Sequence, residues 1–319
     1  MINRKGRRGS RRGAQSFLAR RPLRRPLRPL RFSIAAIGFI FAVTTFSQPV
    51  MPQKNLLESG HATRLAEVPK ASSQIRIVSY NIRWRTGTQL QEIARFLKGN
   101  NKQPLIIGLQ EVDRAKARTG KADNARLLAD YLGFYYAWTA PPSPKSDKSA
   151  EEETGVEILS SFPLKEITRL VLPHAGPGGR SRVALGATIT VGDISIRVYS
   201  GHSETRIPIS QKMEQLQAVV DDLRRFPPKM RAIVMGDFNT WELPAVESTR
   251  KLFTDIGFTT PFPDDETTFM RNVLLFDIEL KLDWIWLCGL LVQSYGIDRT
   301  ITVSDHYPLW TIVKIVNQV

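Results

Sequence analysis

A carboxylate and a carboxamide stand two residues apart in the stretch from Ala232 to Trp241, which reads AIVMGDFNTW. Its first four residues form a short apolar run typical of a strand, and the following GDFN is rich in turn formers. A loop held by a buried strand can point Asp237 and Asn239 at one small charged group. An ordinary turn has the same composition, so this stretch alone leaves both interpretations open.

Polar side chains also stand where other predicted strands begin or end. Apolar runs lead into Asn81, Glu111 and His202. Asp283 starts a further predicted strand, and Asp305 and His306 directly precede the last one. If all these positions meet at one pole of the fold, that pole holds four carboxylates, two carboxamides and two of the four histidines. This composition fits a divalent cation bound to a phosphate ester.

Oxygen ligands are what a hard cation such as Mg²⁺ requires, and Mn²⁺ and Ca²⁺ are alternatives of the same kind. Glu111 with Asn81 or Asp305 can supply such ligands. The single cysteine, Cys288, excludes an intramolecular disulfide framework and a cysteine-built zinc site. The predicted metal centre is therefore built from oxygen atoms.

Hydrolysis of a phosphodiester needs further groups beside the metal ligands. One group must orient or deprotonate water, and Asp237 can do so. Charge that builds on the phosphoryl oxygens needs donors, for which Asn239, His202 and His306 are candidates. A histidine in such a role needs a carboxylate that fixes its tautomer, and Asp283 is available.

The elements that must position these residues alternate between strands and helices. Helical spacing predicts a helix that starts with a capping box at Thr88–Gln91, a second from Asp123 to Leu132, and a third capped by Ser210. A fourth is predicted from Pro244 to Ile256. Several strand pairs are adjacent in sequence with short turns, which favours mixed sheets covered by helices.

The formal net charge of +15 is concentrated at the amino terminus. Residues 1–31 hold twelve of the 45 Lys and Arg and no acid, so 33 basic against 30 acidic residues remain, a balance of +3. Such an arm, broken by prolines, cannot bury a core and is predicted to be a disordered cytoplasmic segment. The rest of the chain lacks the strongly basic composition typical of a duplex-DNA enzyme.

An uncharged apolar run, FSIAAIGFIFAVTTF, follows the basic arm directly. We interpret residues 32–50 as a membrane-directed anchor or signal, with the amino terminus in the cytoplasm and the remainder on the far side. Secretion after cleavage is the alternative. Residues 51–74 are predicted to be a linker, and residues 75–319 to be the catalytic domain. No protein partner is predicted.

Six ordered motifs, VSYNIRW, GLQEVD, GHSE, MGDFNTW, LDWIW and VSDHYPL, resemble those of the endonuclease/exonuclease/phosphatase superfamily. The resemblance spans about residues 75–316, essentially the whole globular part. It implies a four-layered α/β/β/α sandwich of two mixed sheets flanked by helices, with the site at one end. It also implies a Mg²⁺-dependent phosphoesterase.

The resemblance further implies a role for each matching residue. Glu111 matches the metal-binding glutamate, with Asn81 and Asp305 beside the metal. Asp237 matches the aspartate that activates or orients water, and Asn239 the asparagine on the scissile phosphate. His202 matches a histidine that contacts the phosphate. Asp283 and His306 match a carboxylate-histidine pair.

Some positions are open between two interpretations. Arg182 either faces the phosphate or is a solvated charge, and Glu157 is either an acid behind the site or a surface acid. Trp84 and Trp241 closely follow Asn81 and Asn239 and are expected to flank the cleft, with core packing as the rival interpretation.

The sequence also leaves the substrate open. A phosphodiesterase is favoured, with nucleic acid, a phospholipid headgroup or another small ester as substrate. A non-catalytic, membrane-anchored binding module is the alternative from another class, although the full motif set argues against it.

Overall fold

The computed structural model describes residues 55–67, 73–99, 103–143, 153–274 and 276–315. Its strands are β1 Leu57–His61, β2 Gln74–Asn81, β3 Leu105–Arg114, β4 Tyr135–Thr139, β5 Glu153–Ser160, β6 Lys165–Val171, β7 Val183–Val191, β8 Ile194–His202, β9 Arg231–Asp237, β10 Phe269–Val273, β11 Phe276–Leu280, β12 Asp283–Cys288, β13 Leu291–Ile297 and β14 Leu309–Lys314. Its α-helices are α1 Gly87–Lys98, α2 Asn124–Leu132, α3 Ile209–Leu223 and α4 Leu243–Thr254.

Two mixed sheets carry the domain. The first has seven strands in the order β1-β4-β5-β3-β2-β14-β13, and the second has five in the order β12-β9-β8-β7-β6. Only β2 with β3 and β8 with β9 pair in parallel; the other pairs of the two sheets are antiparallel. Strands β10 and β11 form a separate antiparallel hairpin.

Neighbouring residues of the central strands enter different apolar layers. Ile77 and Ile233 join the layer between the two sheets. The adjacent Val78 packs with α1 and α2, and Val234 packs with α3 and α4. Successive side chains of a strand point to opposite faces, so strands covered on both faces read as unbroken apolar runs. These layers confirm the predicted α/β/β/α sandwich.

Several local expectations were wrong. The predicted linker contains β1, which pairs with β4 at the edge of the first sheet. Helix α1 begins after Thr86 without a side-chain cap, and α3 begins at Ile209 after Pro208, so neither predicted cap forms. Among the four described α-helices, α2 alone has a side-chain cap at its amino terminus: Asp123 accepts a hydrogen bond from the backbone N–H of Arg126.

The basic arm and the apolar segment at residues 32–50 lie outside the described residues. Among the helices that are described, none combines the length and the apolar character needed to cross a bilayer.

Candidate active site

The strand ends that the sequence singled out come together at one edge of the sandwich. In the first sheet, parallel pairing places Asn81 opposite Gln110, next to Glu111. In the second sheet, His202 lies opposite Asp237, and Asp283 pairs with Asp237 from the other side. Parallel strands end at the same edge of a sheet, so each sheet presents its polar ends to a shared cleft.

Glu111 leaves the regular strand at a bulge. The pairing of β3 with β5 shifts register between Gln110 and Val112, and Glu111 has a φ of 56°. Trp84 and Asn239 also have positive φ, at 57° and 53°. Left-handed backbone is strained for Glu and Trp, although Asn tolerates it, and it persists there only where surrounding contacts hold it. The bulge turns the Glu111 carboxylate out of the strand's alternation, and the residue lines the cleft.

Asp237 is the buried centre of the cleft. Its Oδ2 accepts a hydrogen bond of 2.9 Å from Asn81 Nδ2, and its Oδ1 accepts one of 3.2 Å from the Asn239 backbone N–H. Burial raises its pKa to about 7, with Asp283 adding to the rise and His306 opposing it. A carboxyl group with a pKa near neutrality is suited to exchange a proton with water.

His306 forms a buried pair with Asp283. Its Nδ1 lies 2.8 Å from Asp283 Oδ2, while its Nε2 lies 3.7 Å from Asp237 Oδ2. Burial opposes the charge on the ring, but the carboxylates of Asp283 and Asp237 raise its pKa to about 10. His306 is therefore a protonated donor held between two acids.

His202 has the opposite protonation preference. Its Nε2 lies 3.5 Å from Asp237 Oδ2, and Arg182 Nη1 lies 3.4 Å and 3.3 Å from its two ring nitrogens. Burial lowers the pKa of His202 well below its ordinary value, and the nearby Arg182 and His306 add to the effect. Arg182 is itself fixed by a 2.9 Å hydrogen bond from Nε to Glu204, so it faces the site and is not a solvated charge.

Asn239 is held by two groups. Its Nδ2 donates to the backbone oxygen of Ser203 at 3.0 Å, and its own backbone oxygen accepts a 2.9 Å bond from Lys212 Nζ. Sequence reasoning missed Lys212, which is 2% exposed. A lysine within the helical spacing of α3 reads as a surface residue, so the sequence carried no signal for this contact.

The remaining predicted residues line the cleft. Asp305 forms an ion pair of 2.7 Å with Arg83, a partner that the sequence did not suggest. Trp84 and Trp241 are 36% and 44% exposed, so neither is a core residue. The cleft has a volume of about 430 Å³, and the hairpin β10–β11 supplies part of its wall through Phe269, Arg271 and Leu280.

Two parts of the cleft could be considered for a divalent cation. Asp237, Asp283 and His306 offer ligand atoms within 4.8 Å of one another. However, the His306 ring already contacts both carboxylates, with Nδ1 at 2.8 Å from Asp283 Oδ2 and Nε2 at 3.7 Å from Asp237 Oδ2. Glu111 fits better, because its Oε2 is buried and its carboxylate makes no hydrogen bond or ion pair with the described residues. Asp283 Oδ1 is also without a partner there, but the Asp283 carboxylate is already bonded to His306 through Oδ2. Buried carboxylate oxygens are normally paired, so an orphan oxygen suits a metal ligand.

The profile of the Endonuclease/Exonuclease/phosphatase family matches residues 78–306. The chain belongs to this family. Its match covers all eleven predicted site residues, from Asn81 to His306. Members of the family hydrolyse phosphate esters and typically use a divalent metal. A search of curated proteins found no match.

Solved structures of family members share the fold at low sequence identity. An endonuclease/exonuclease/phosphatase family protein from Leptotrichia buccalis C-1013-b aligns with a TM-score of 0.59 and 18% identity, over 75% of this chain and 99% of its own. The human Nocturnin catalytic domain with bound sulfate gives 0.58 and 17%, over 77% and 96%. ANGEL2, a 2',3'-cyclic phosphatase in complex with adenosine-2',3'-vanadate, gives 0.56 and 15%, over 81% and 98%.

Proposed function

We propose that this protein is a divalent-metal-dependent phosphodiesterase in which water attacks the phosphorus atom. The observation that carries the proposal is the convergence of His202 and His306 on Asp237, at 3.5 Å and 3.7 Å, with the partnerless Oε2 of Glu111 in the same cleft. A base, a donor and a metal ligand are the groups that this reaction needs.

Asp237 orients the attacking water and accepts its proton. Its two oxygens are fixed by Asn81 and by the Asn239 backbone N–H, so the carboxylate is held before the substrate arrives. Because its pKa is about 7, a useful fraction is ionised near neutral pH and can take a proton.

Four side chains bind and stabilise the phosphoryl group. Protonated His306 donates from Nε2, since its Nδ1 is bonded to Asp283. Asn239 Nδ2 carries two hydrogens, of which one is donated to Ser203, and the second serves a phosphoryl oxygen. His202 is a neutral donor placed beside Arg182, whose charge also faces the phosphate.

Glu111 would hold the cation, with Asn81 and Asp305 nearby as further oxygen ligands. Mg²⁺, or Mn²⁺ or Ca²⁺, would act there as a Lewis acid that withdraws charge from the phosphoryl oxygens. Asp305 would have to exchange its ion pair with Arg83 to become a direct ligand. We therefore assign the main role to Glu111.

The proposal is tested with the full chain on bis(4-nitrophenyl) phosphate, a diester, and on 4-nitrophenyl phosphate, a monoester. We expect faster release of nitrophenol from the diester, loss of activity in EDTA, and recovery when Mg²⁺, Mn²⁺ or Ca²⁺ is added. Turnover that persists after complete chelation would reject the metal-dependent mechanism. Absence of hydrolysis of either ester with every cation would favour the non-catalytic binding module.

We also propose that residues 32–50 anchor the protein in a membrane and place the catalytic domain outside the cytoplasm. The apolar run and the twelve basic residues before it support this orientation. Alkaline phosphatase fused after Val319 should be active, because it folds only outside the bacterial cytoplasm. A reporter active only in the cytoplasm would contradict the orientation.

A further inference from the structure

A second pocket, of about 110 Å³, opens from one side of the catalytic cleft. The two spaces share four lining residues: Trp84, Glu111, Arg182 and His202. Away from the cleft the pocket is bounded by Arg118 and Arg180. A group bound in this pocket would therefore lie beside the proposed metal ligand while remaining outside the space around Asp237.

Arg118 is fixed in place and still has donors to offer. Its Nε and Nη2 bond the two oxygens of the buried Asp113 at 2.7 Å and 2.8 Å, and its guanidinium lies 4.1 Å from the Trp84 ring centroid. Its Nη1 has no hydrogen-bond partner among the described residues. A guanidinium held on one edge presents its other edge at little entropic cost.

Arg180 is the arginine of this pocket that has no acidic partner among the described residues. It makes no hydrogen bond or ion pair through its side chain with the described part of the chain, whereas Arg118 and Arg182 have acidic partners. Arg180 is exposed to solvent at the mouth of the pocket. Partial desolvation by its neighbours lowers its pKa, and the charges of Arg182 and Arg118 lower it further, while Glu111 and Glu204 oppose them. An anion between these arginines would relieve this repulsion.

We propose that the pocket of Arg118 and Arg180 binds a second phosphate group of the substrate, next to the phosphate that is hydrolysed. This inference rests on the proposed function, since it adds a specificity site to the same cleft. Two guanidinium groups with free N–H donors match the geometry of a phosphate better than that of a neutral group. The substrate class is therefore a molecule that carries at least two phosphate groups close together.

Two sources share this chemistry, a nucleotide strand and a phosphorylated polyol headgroup. Calorimetric titrations of the full chain, in detergent and with Mg²⁺, separate them. One arm compares thymidine 3',5'-bisphosphate with thymidine 3'-monophosphate, and the other compares inositol 1,4-bisphosphate with inositol 1-phosphate. The Asp237→Asn change is included throughout, so that no probe is hydrolysed during the titration.

We expect at least one bisphosphate to bind about tenfold more tightly than its monophosphate, the effect of adding charge-assisted hydrogen bonds. Arg180→Ala should remove this preference, and Arg180→Lys, which keeps charge but loses the planar fork, should retain only part of it. The matched control Arg95→Ala removes an exposed arginine of α1 and should leave the preference intact. The arm that shows the preference identifies the source.

The inference is overturned if neither bisphosphate is preferred, or if Arg180→Ala leaves the preference unchanged. Hydrolysis of bis(4-nitrophenyl) phosphate by the parent chain is measured in parallel, because this ester has only one phosphate. Hydrolysis without any bisphosphate preference would reject the second phosphate site alone. A preference that depends on Arg180, without hydrolysis, would instead reject the proposed catalysis alone.

Discussion

The two sides of the catalytic cleft are built differently. On the side of Asp237, Asp283 and His306, carboxylates, amides and imidazole bond one another at 2.8–3.2 Å. On the side of Glu111, the carboxylate makes no hydrogen bond or ion pair with the described residues, and its Oε2 is buried. Asp283 Oδ1 is also buried without a partner there, but Asp283 is held through its Oδ2 by His306. Groups that satisfy one another are ordered before a ligand binds, whereas an orphan oxygen costs free energy until one does. This difference supports our proposal that the first side carries out proton transfer and the second holds a cation.

The largest effect should follow from a change at the centre of the ordered side. Asp237→Asn removes charge but little volume, so we expect kcat to fall on the order of a hundredfold or more with the fold retained. Turnover of bis(4-nitrophenyl) phosphate and a thermal unfolding scan measure the two quantities. Asp221→Asn on the exposed surface of α3 is the matched control. An Asp237→Asn variant that unfolds would show that Asp237 is structural.

The next largest effect tests whether Asp283 and His306 act as one unit. Asp283 keeps His306 protonated and oriented, so Asp283→Asn should reduce kcat nearly as much as His306→Ala, and the double variant should lose little more. Turnover of the two single variants and the double variant gives the coupling. Losses that simply multiply in the double variant would show that the two residues act independently.

The sequence predicts the positions of the site residues better than it predicts the long-range contacts that hold some of them. Asp237, His202 and Asp283 stand at the ends of apolar strands, where buried runs and turn formers fix both position and neighbours. The ion pair of Arg83 with Asp305 and the contact of Lys212 with Asn239 join residues far apart in the chain. No local pattern announces such contacts, because they depend on how the sheets and helices pack.

Short polar strands were also unpredictable. β1 and the hairpin β10–β11 mix charged and apolar residues over five positions each, so they lack the buried runs that indicate β2 or β9. Their pairing is decided by partners elsewhere in the fold, as in the edge position of β1 beside β4. The fold class was therefore accessible from the sequence, whereas part of the cleft wall was not.

Glu157 is a buried carboxylate that, unlike Glu111, lies away from the cleft. Glu157 is fully buried and neither of its oxygens has a partner among the described residues, so the interpretation as a surface acid was wrong. It does not line the cleft, so no ligand can satisfy it there. Burial raises its pKa well above the ordinary value, and Asp123 adds to the shift.

The raised pKa makes stability depend on pH. Above the unfolded-state pKa of Glu157, the folded protein holds one more proton, so the free energy of unfolding falls by up to ~1.4 kcal/mol per pH unit until pH exceeds the folded-state pKa. Glu157→Gln should remove this loss and be more stable than the parent at pH 8, with little difference at pH 4. Urea unfolding at both pH values measures it, with exposed Glu247→Gln as control. Identical pH dependence in parent and Glu157→Gln would contradict the assignment.

The smallest effects are expected at the aromatic rim. Trp84 and Trp241 are partly exposed and line the cleft, where they can contact a substrate without taking part in proton transfer. Trp84→Ala and Trp241→Ala should raise KM severalfold more than they lower kcat. Steady-state kinetics on a single-stranded oligonucleotide and on a lysophospholipid diester, at low and moderate salt, test this. A steep salt dependence on duplex DNA, with both variants behaving like the parent, would indicate recognition of backbone charge instead.

Calorimetric titration of Mn²⁺ into the full chain tests most directly whether the cation belongs to the Glu111 side. Glu111→Gln replaces the orphan carboxylate by a neutral group of similar size, whereas Asp283→Asn removes the same charge from the ordered side. We predict that Glu111→Gln weakens binding by about tenfold or more, and that Asp283→Asn changes it by less than about threefold. Loss of binding in Asp283→Asn, with parent-like affinity in Glu111→Gln, would place the metal among Asp237, Asp283 and His306 and contradict this division of the cleft.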